Sequence, residues 1–276
     1  LSGIKQEHEE LKKIIKEKKI DAVISDNRFG LWSREVPSVF ITHQLMVKSP
    51  FGEKLIHRLN KNYISKFSEC WIPDAPLTQG AGRGLSGDLA HKFLLQKNAK
   101  YVGVLSRFIL PLNLPQGGDK LLVILSGPEP QRTIFEKKIM EQIALLKKRI
   151  LIIQGITEKN ERKQISENVE MVSHLTSEEL QKEILSSEII LSRSGYSTVM
   201  DLAVLGKKAI FVPTPGQTEQ EYLATYFSEK KIAYSVSQKK FGLKTALKES
   251  ENYSGFTEKH SGEEFKKTVD DMLYKI

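Results

Sequence analysis

Short runs rich in Val, Ile and Leu alternate with helical stretches along almost the whole chain, and this alternation limits the fold more than any other feature. The runs are residues 20–25, 37–42 and 70–73 in the first part. Residues 121–125, 150–153, 170–172, 189–191, 209–212 and 233–236 follow in the second. They show little polar alternation, the pattern of strands covered on both faces of a parallel sheet. Between them the spacing predicts helices over 7–19, 131–146, 177–186, 198–205, 219–230 and 263–274. Thr176-Ser-Glu-Glu179 is a capping box: the Thr176 hydroxyl accepts the Glu179 amide, and the Glu179 carboxylate reaches back to Thr176. Strand–helix alternation of this kind predicts doubly wound α/β domains.

A chain of 276 residues is long for one such domain and suits two. The stretch Pro111-Leu-Asn-Leu-Pro-Gln-Gly-Gly-Asp119 is the best linker. The predicted division is therefore 1–110 as an N-terminal Rossmann-like domain, 111–260 as a C-terminal one, and 261–276 as a terminal helix packing back on the first. Six strand candidates follow the linker and three precede it. With Leu1 opening the chain, this predicts that the first domain is incomplete, with βα units on the N-terminal side of Leu1.

Composition removes several function classes. Net charge is +8, which permits an anionic partner without naming one. The single cysteine, Cys70, rules out an internal disulfide and a Cys-built zinc site and fits a reducing, cytoplasmic setting. The six histidines show no metal spacing, and no apolar run reaches the ~18 residues of a membrane span. There is no GxxxxGK[ST] and no GxSxG, so a P-loop ATPase and a hydrolase nucleophile elbow are both excluded. Gly82-Arg-Gly-Leu-Ser-Gly87 fits GxGxxG by letter but follows no strand directly, so it reads as a mobile loop. The basic residues lack aromatic interleaving, which speaks against nucleic acid. Residues 48–66 read as a basic amphipathic helix. Lys48, Lys54, Arg58, Lys61 and Lys66 carry its charge, and Leu55, Ile56, Leu59 and Ile64 lie on its other side. Such a face is either solvated or a weak contact for an anionic membrane.

The most informative stretch is 189–222. A buried strand ends at Leu191, Ser192-Arg193-Ser194-Gly195 turns, and a helix starts near Tyr196 and Ser197. The unpaired first-turn amides and the positive end of the helix dipole would bind a diphosphate without metal. Thr198 would add a hydroxyl, and Asp201, one turn on, would accept from a ribose hydroxyl. A plain strand–turn–helix, with Gly195 as a turn residue and Asp201 serving the helix N-terminus, fits the same letters. Residues 211–222 repeat the layout: Gly216 opens a loop, and Gln217, Gln220 and Glu221 place amides and a carboxylate at a helix start, suited to sugar hydroxyls or to ordinary capping.

These segments resemble the C-terminal domain of family 28 glycosyltransferases, the MurG type. Arg193-Ser-Gly195 with Thr198 resembles the family's RSGALTxxE turn and helix, with Asp201 in place of Glu. Gln220 matches the first residue of its QQ pair, and Glu221 replaces the second. Gly103-Val-Leu-Ser-Arg107 resembles GNPVR, whose Arg approaches the donor diphosphate. Val39-Phe-Ile-Thr-His43-Gln44 resembles the VxxHEQ strand end that faces the acceptor. Residues 26–30, 42–45 and 85–91 resemble segments of a further branch of glycosyltransferase-like proteins. Two departures stand out. Ser126-Gly127-Pro-Glu-Pro130 replaces the family's GGSQGA loop, and the glycine loop of its first βα unit is absent.

The resemblance implies a GT-B architecture of two Rossmann-like domains across a cleft. It also implies inverting, metal-independent transfer from a UDP-sugar, such as UDP-N-acetylglucosamine, to a hydroxyl, with a lipid- or glycan-linked acceptor among the options. No cofactor is implied, since the UDP-sugar is a substrate. It makes His43 the candidate base, Arg107 a diphosphate ligand, and Leu175 the position of the backbone amide that recognises uracil. Two alternatives remain at this stage: a nucleotide-sugar-binding protein without its own catalysis, and a nucleotide-sugar epimerase of the same fold.

Overall fold

The computed structural model describes residues 2–48, 52–76, 84–109, 118–144, 146–258, 260 and 262–274. The chain divides into two compact units, 1–105 with 261–276, and 106–260. Most of the proposed linker, 111–117, lies outside the described residues, as do Gly82 and Arg83 of the GxGxxG stretch.

The first unit opens with helix α1 (Ser2–Lys18), followed by strands β1 (Val23–Asp26) and β2 (Ser38–Ile41). Helix α2 (Glu53–Ile64), strand β3 (Glu69–Ile72), the short α3 (Asp88–His91) and strand β4 (Ala99–Tyr101) complete its first stretch. The strands form a parallel sheet in the order β1-β2-β3-β4. One face of this sheet packs Phe40, Cys70 and Ile72 against Ile64 and Phe67. On the other, Val39, Trp71 and Val102 meet Phe265, Val269 and Met272 from the terminal helix. Strand β4 was not expected: three half-buried residues at a sheet edge carry no apolar run to read.

Asp74, just past β3, organises the top of this sheet. It is fully buried, and its carboxylate accepts the amides of Leu85 (2.9 Å) and Ser86 (2.9 Å), the Ser86 hydroxyl (2.5 Å) and His91 Nε2 (3.0 Å). His91 Nδ1 in turn faces the Tyr101 hydroxyl at 2.8 Å. The described part of the GxGxxG stretch, Gly84 to Gly87, is therefore no loose loop, because it is tied down by a buried charge. The reading of α2 also needs correction. Ile64 is buried, but Leu55 and Leu59 are 63% and 47% exposed, so these two leucines share solvent with the basic residues instead of opposing them.

The second unit runs β5 (Lys120–Ile124), α4 (Gln131–Ile143), β6 (Arg149–Ile153), β7 (Arg162–Ser166), β8 (Val169–Val172), α5 (Ser177–Leu185), β9 (Ile189–Ser192) and α6 (Tyr196–Val204). Then come β10 (Lys208–Phe211), α7 (Thr218–Glu229), β11 (Tyr234–Ser235) and α8 (Leu243–Ser250). The last helix, α9 (Glu263–Leu273), groups with the first unit. The sheet order is β11-β10-β9-β5-β6-β8-β7, parallel except for β7, which pairs antiparallel with β8. Every residue of β7 is exposed, so hydrophobic patterning could not reveal it. The expected capping box is present on α5, with both reciprocal bonds formed. The core is Leu121, Val123, Ile150, Ile152, Leu191 and Ile210 of the sheet against Phe135, Ile139 and Leu243 of the helices. The strand order reverses between β5 and β9, and ligands of such sheets bind beyond the strand ends at that switch point.

Candidate functional site

The C-terminal ends of β5, β9 and β10 converge at the switch point of the second unit. After β5, Ser126 and the exposed Gly127 form a loop in which Gly127 has φ +101°, a conformation open to glycine. A side chain at Gly127 would meet Thr214 Oγ1 at 3.3 Å, so this loop lies close against the one after β10. After β9, Gly195 is the N-cap of α6. Its backbone is extended, and an added Cβ would meet nothing within 4 Å. Neither dihedral angles nor neighbours demand glycine there; the residue keeps the helix start open.

Helices α4 and α6 differ in electrostatics at their starts. The Glu129 carboxylate accepts the Thr133 amide (3.2 Å) and hydroxyl (3.0 Å) and pairs with Arg132, so α4 carries its own anion. The bond from Thr133 leads the causes that hold the Glu129 carboxyl below its ordinary range. No side chain caps α6, and its first turn has no acidic residue. An external anion thus finds the dipole field of α6 uncancelled, whereas that of α4 is answered internally. At the start of α7, Glu219 and Glu221 make the first turn acidic, so that helix suits hydroxyls rather than phosphate.

Arg107 is presented to the same region by α6 itself. Its Nε donates to Asp201 Oδ2 at 3.1 Å, and the Ser106 hydroxyl donates to Asp201 Oδ1 at 2.7 Å. The Arg107 side chain remains 55% exposed while that of Asp201 is 9% exposed. Burial raises the Asp201 carboxyl above its ordinary value against the opposing pull of Ser106 and Arg107. Both Asp201 oxygens are thus engaged by protein, and the residue holds Arg107 in place.

Arg193 is enclosed within the second unit. It is 1% exposed, and its guanidinium donates to Val212 O (2.9 Å), Pro213 O (3.3 Å), Gln131 O (3.0 Å) and Gln238 Oε1 (2.7 Å). Such a group ties three loops together from inside. Ser194 is likewise buried, with its hydroxyl on Gln220 O at 2.8 Å. The Gln220 side chain accepts the Thr214 amide (2.9 Å) and donates to Gln217 Oε1 (2.5 Å), and Glu221 accepts the Gly216 amide (3.0 Å). These three residues brace the β10–α7 loop. Tyr196 is buried, Ser197 exposed and Thr198 half-buried in the first turn of α6. Leu175 lies half-buried between β8 and α5.

Sequence reading did not single out Ser106, Thr214 or the Ser192 hydroxyl. Ser192 and Thr214 are buried, yet neither Ser192 Oγ nor Thr214 Oγ1 has a hydrogen-bond partner among the described residues. Each lies at or just beyond the end of an apolar strand run, a positional signal that could have marked them. His43 belongs to the first unit, just past β2, half-buried, with Gln44 Nε2 at 3.5 Å from its Nε2. Among the described residues there is no group of three His, Cys, Asp or Glu that could hold a metal.

Residues 121–273, more than half of the chain, match the glycosyltransferase family 28 C-terminal domain. The chain is similar to the UDP-N-acetylglucosamine–N-acetylmuramyl-(pentapeptide) pyrophosphoryl-undecaprenol N-acetylglucosamine transferase of Bartonella henselae, 26% identical over 144 residues, 49% of this chain and 38% of that protein. The Rhodopseudomonas palustris protein of the same name is 29% identical over 117 residues, 39% of this chain and 31% of that one. The chain thus spans under two fifths of the length of these relatives in the match. Among solved structures, Acinetobacter baumannii MurG gives a TM-score of 0.62 at 13% identity, covering 99% of this chain and 78% of the other. The S. aureus MnaA–UDP co-structure gives 0.59 at 15% identity, covering 99% and 79%. Likeness of this extent shows a GT-B fold, and by its matched domain the chain belongs to glycosyltransferase family 28.

Proposed function

We propose that the chain binds a UDP-sugar on its second unit and transfers the sugar, with inversion and without metal, to an acceptor hydroxyl. The observation that carries this reading is the pairing of an uncapped, acid-free helix start at Gly195 with an exposed cation, Arg107, anchored one turn into the same helix. A diphosphate is the ligand chemistry that uses both. The UDP-sugar and the lipid-linked acceptor come from the names of the relatives.

In this reading the acceptor oxygen attacks the anomeric carbon from the face opposite UDP. The bond from that carbon to the diphosphate oxygen breaks, and its electron pair leaves with UDP. Charge on the departing diphosphate grows along the way, so the α6 amides and Arg107 stabilise the transition state more than the ground state. His43 is the candidate base for the acceptor proton. The backbone at Leu175 faces the uracil, the Ser126–Gly127 loop and Thr198 reach the phosphates, and Gln217 with the α7 start meets sugar hydroxyls.

Calorimetry tests the donor site directly. UDP and UDP-N-acetylglucosamine should bind, and EDTA should leave their affinity unchanged, because helix dipole and guanidinium supply the positive field. No binding of UDP, or binding that EDTA abolishes and magnesium restores, would sink the reading.

An acceptor on lipid would require contact with a membrane, and α2 offers the chemistry for it. Lys54, Arg58 and Lys61 are exposed beside Leu55 and Leu59, and His57 stacks on Phe93 (4.1 Å), next to the 99% exposed Leu94. No described helix is long and apolar enough to span a bilayer. Each basic residue near an anionic surface contributes roughly 1 kcal/mol, which salt weakens. Changing Lys54, Arg58 and Lys61 to Gln should therefore remove most co-sedimentation with anionic vesicles at low salt. Equal binding to neutral and anionic vesicles, or no loss in the triple variant, would leave a soluble acceptor.

A further inference from the structure

Arg193 is a buried cation whose four acceptors are all neutral: three backbone carbonyls and the Gln238 amide oxygen. No carboxylate pairs with it among the described residues, and its guanidinium carbon lies 4.4 Å from the centroid of the Phe135 ring. Its Nε has no hydrogen-bond partner among the described residues. An uncompensated charge in a protein interior is costly, and an apolar side chain of similar volume is commonly neutral or better. Burial lowers the guanidinium to about 10, which still leaves it charged at neutral pH. The residue sits between Ser192, whose buried hydroxyl is also unpartnered, and the open N-cap Gly195. We propose that Arg193 is a positioning residue whose charge is kept uncompensated inside the protein so that the bound diphosphate becomes its counter-charge. It acts through the loops it ties and through its field, which the low-dielectric interior screens less than water would.

The inference rests on the donor-binding reading above and separates from it experimentally. Gln238→Glu places a carboxylate against Nη2, where Gln238 Oε1 now accepts at 2.7 Å, and Gln131 can turn its amide to donate to it. The fold keeps its hydrogen bond and gains a charge, while the cation loses its need for an external anion. Affinity for UDP and for inorganic pyrophosphate should fall about tenfold or more, with thermal stability retained or raised and any uridine binding unchanged. Arg193→Met should lose diphosphate affinity in the same way, and Arg193→Lys should recover part of it. A purely structural Arg193 predicts the reverse: Gln238→Glu would bind UDP and pyrophosphate as the parent does. That result, with the parent binding both, overturns this inference alone; a parent that binds neither overturns the donor reading and this inference with it.

Discussion

Replacing Asp74 by alanine is expected to destabilise the first unit by about 3 kcal/mol or more, the scale for stranding several buried donors of one charged acceptor. The carboxylate is the shared acceptor for three amides, those of Ala75, Leu85 and Ser86, and for the Ser86 hydroxyl and His91, and the side chain itself is fully buried. Without it the donors of Leu85, Ser86 and His91 are stranded, and the link from His91 to Tyr101 loses its anchor. Both tryptophans, Trp32 and Trp71, lie in the first unit, so their fluorescence in urea reports this unit selectively. A loss below about 1 kcal/mol would mean that water or the backbone replaces the carboxylate at little cost. The pH dependence has a defined sign. Burial alone would raise the Asp74 carboxyl, but bonds from His91 and Ser86 outweigh it and hold the group below its ordinary value. Its stabilisation is therefore complete above the ordinary aspartate value of about 3.9 and is lost as pH falls through the lower folded value. Asp201 has the opposite sign: its raised carboxyl favours the folded second unit at low pH, and this contribution disappears as pH rises through the folded value.

Arg107→Ala should reduce sugar transfer by about 10²–10³-fold, the usual loss when one preorganised group facing developing charge is removed. Donor affinity should fall less than turnover, because the diphosphate gains charge only as the bond breaks. Asp201→Asn should give a smaller fall of about tenfold, since it loosens Arg107 without deleting it. The choice of ligand separates two roles for Asp201. Acting through Arg107, it affects UDP but not uridine; touching the ribose, it affects both. Unchanged turnover in Arg107→Ala would remove this side chain from the mechanism.

The sequence determined the parts governed by local rules and by apolar burial. Strands buried on both faces leave unbroken Val/Ile/Leu runs, so the central strands β5, β6, β9 and β10 were legible. The capping box of α5 was legible because its two bonds span three residues. The edges were not. β4 and β7 are held by backbone pairing on one side, which places little demand on side chains, and α3 is only four residues long. Helix α8 was missed as well, although its Leu243 and Ala246 pack into the core.

The turn before α6 was legible as a possible anion site, but the letters left a plain turn equally open. Only the tertiary structure decided what each polar side chain does there. Arg193 faces inward because carbonyls from three separate loops converge on it, with Gln131 and Gln238 far away in sequence. Asp201 is taken by Ser106 and Arg107, which lie more than ninety residues earlier in the chain. Ser86 and Leu85, read as a loose glycine loop, are fixed by a carboxylate eleven and twelve residues before them. A buried polar group must find partners wherever the fold brings them, and those pairings carry no signature in spacing along the chain.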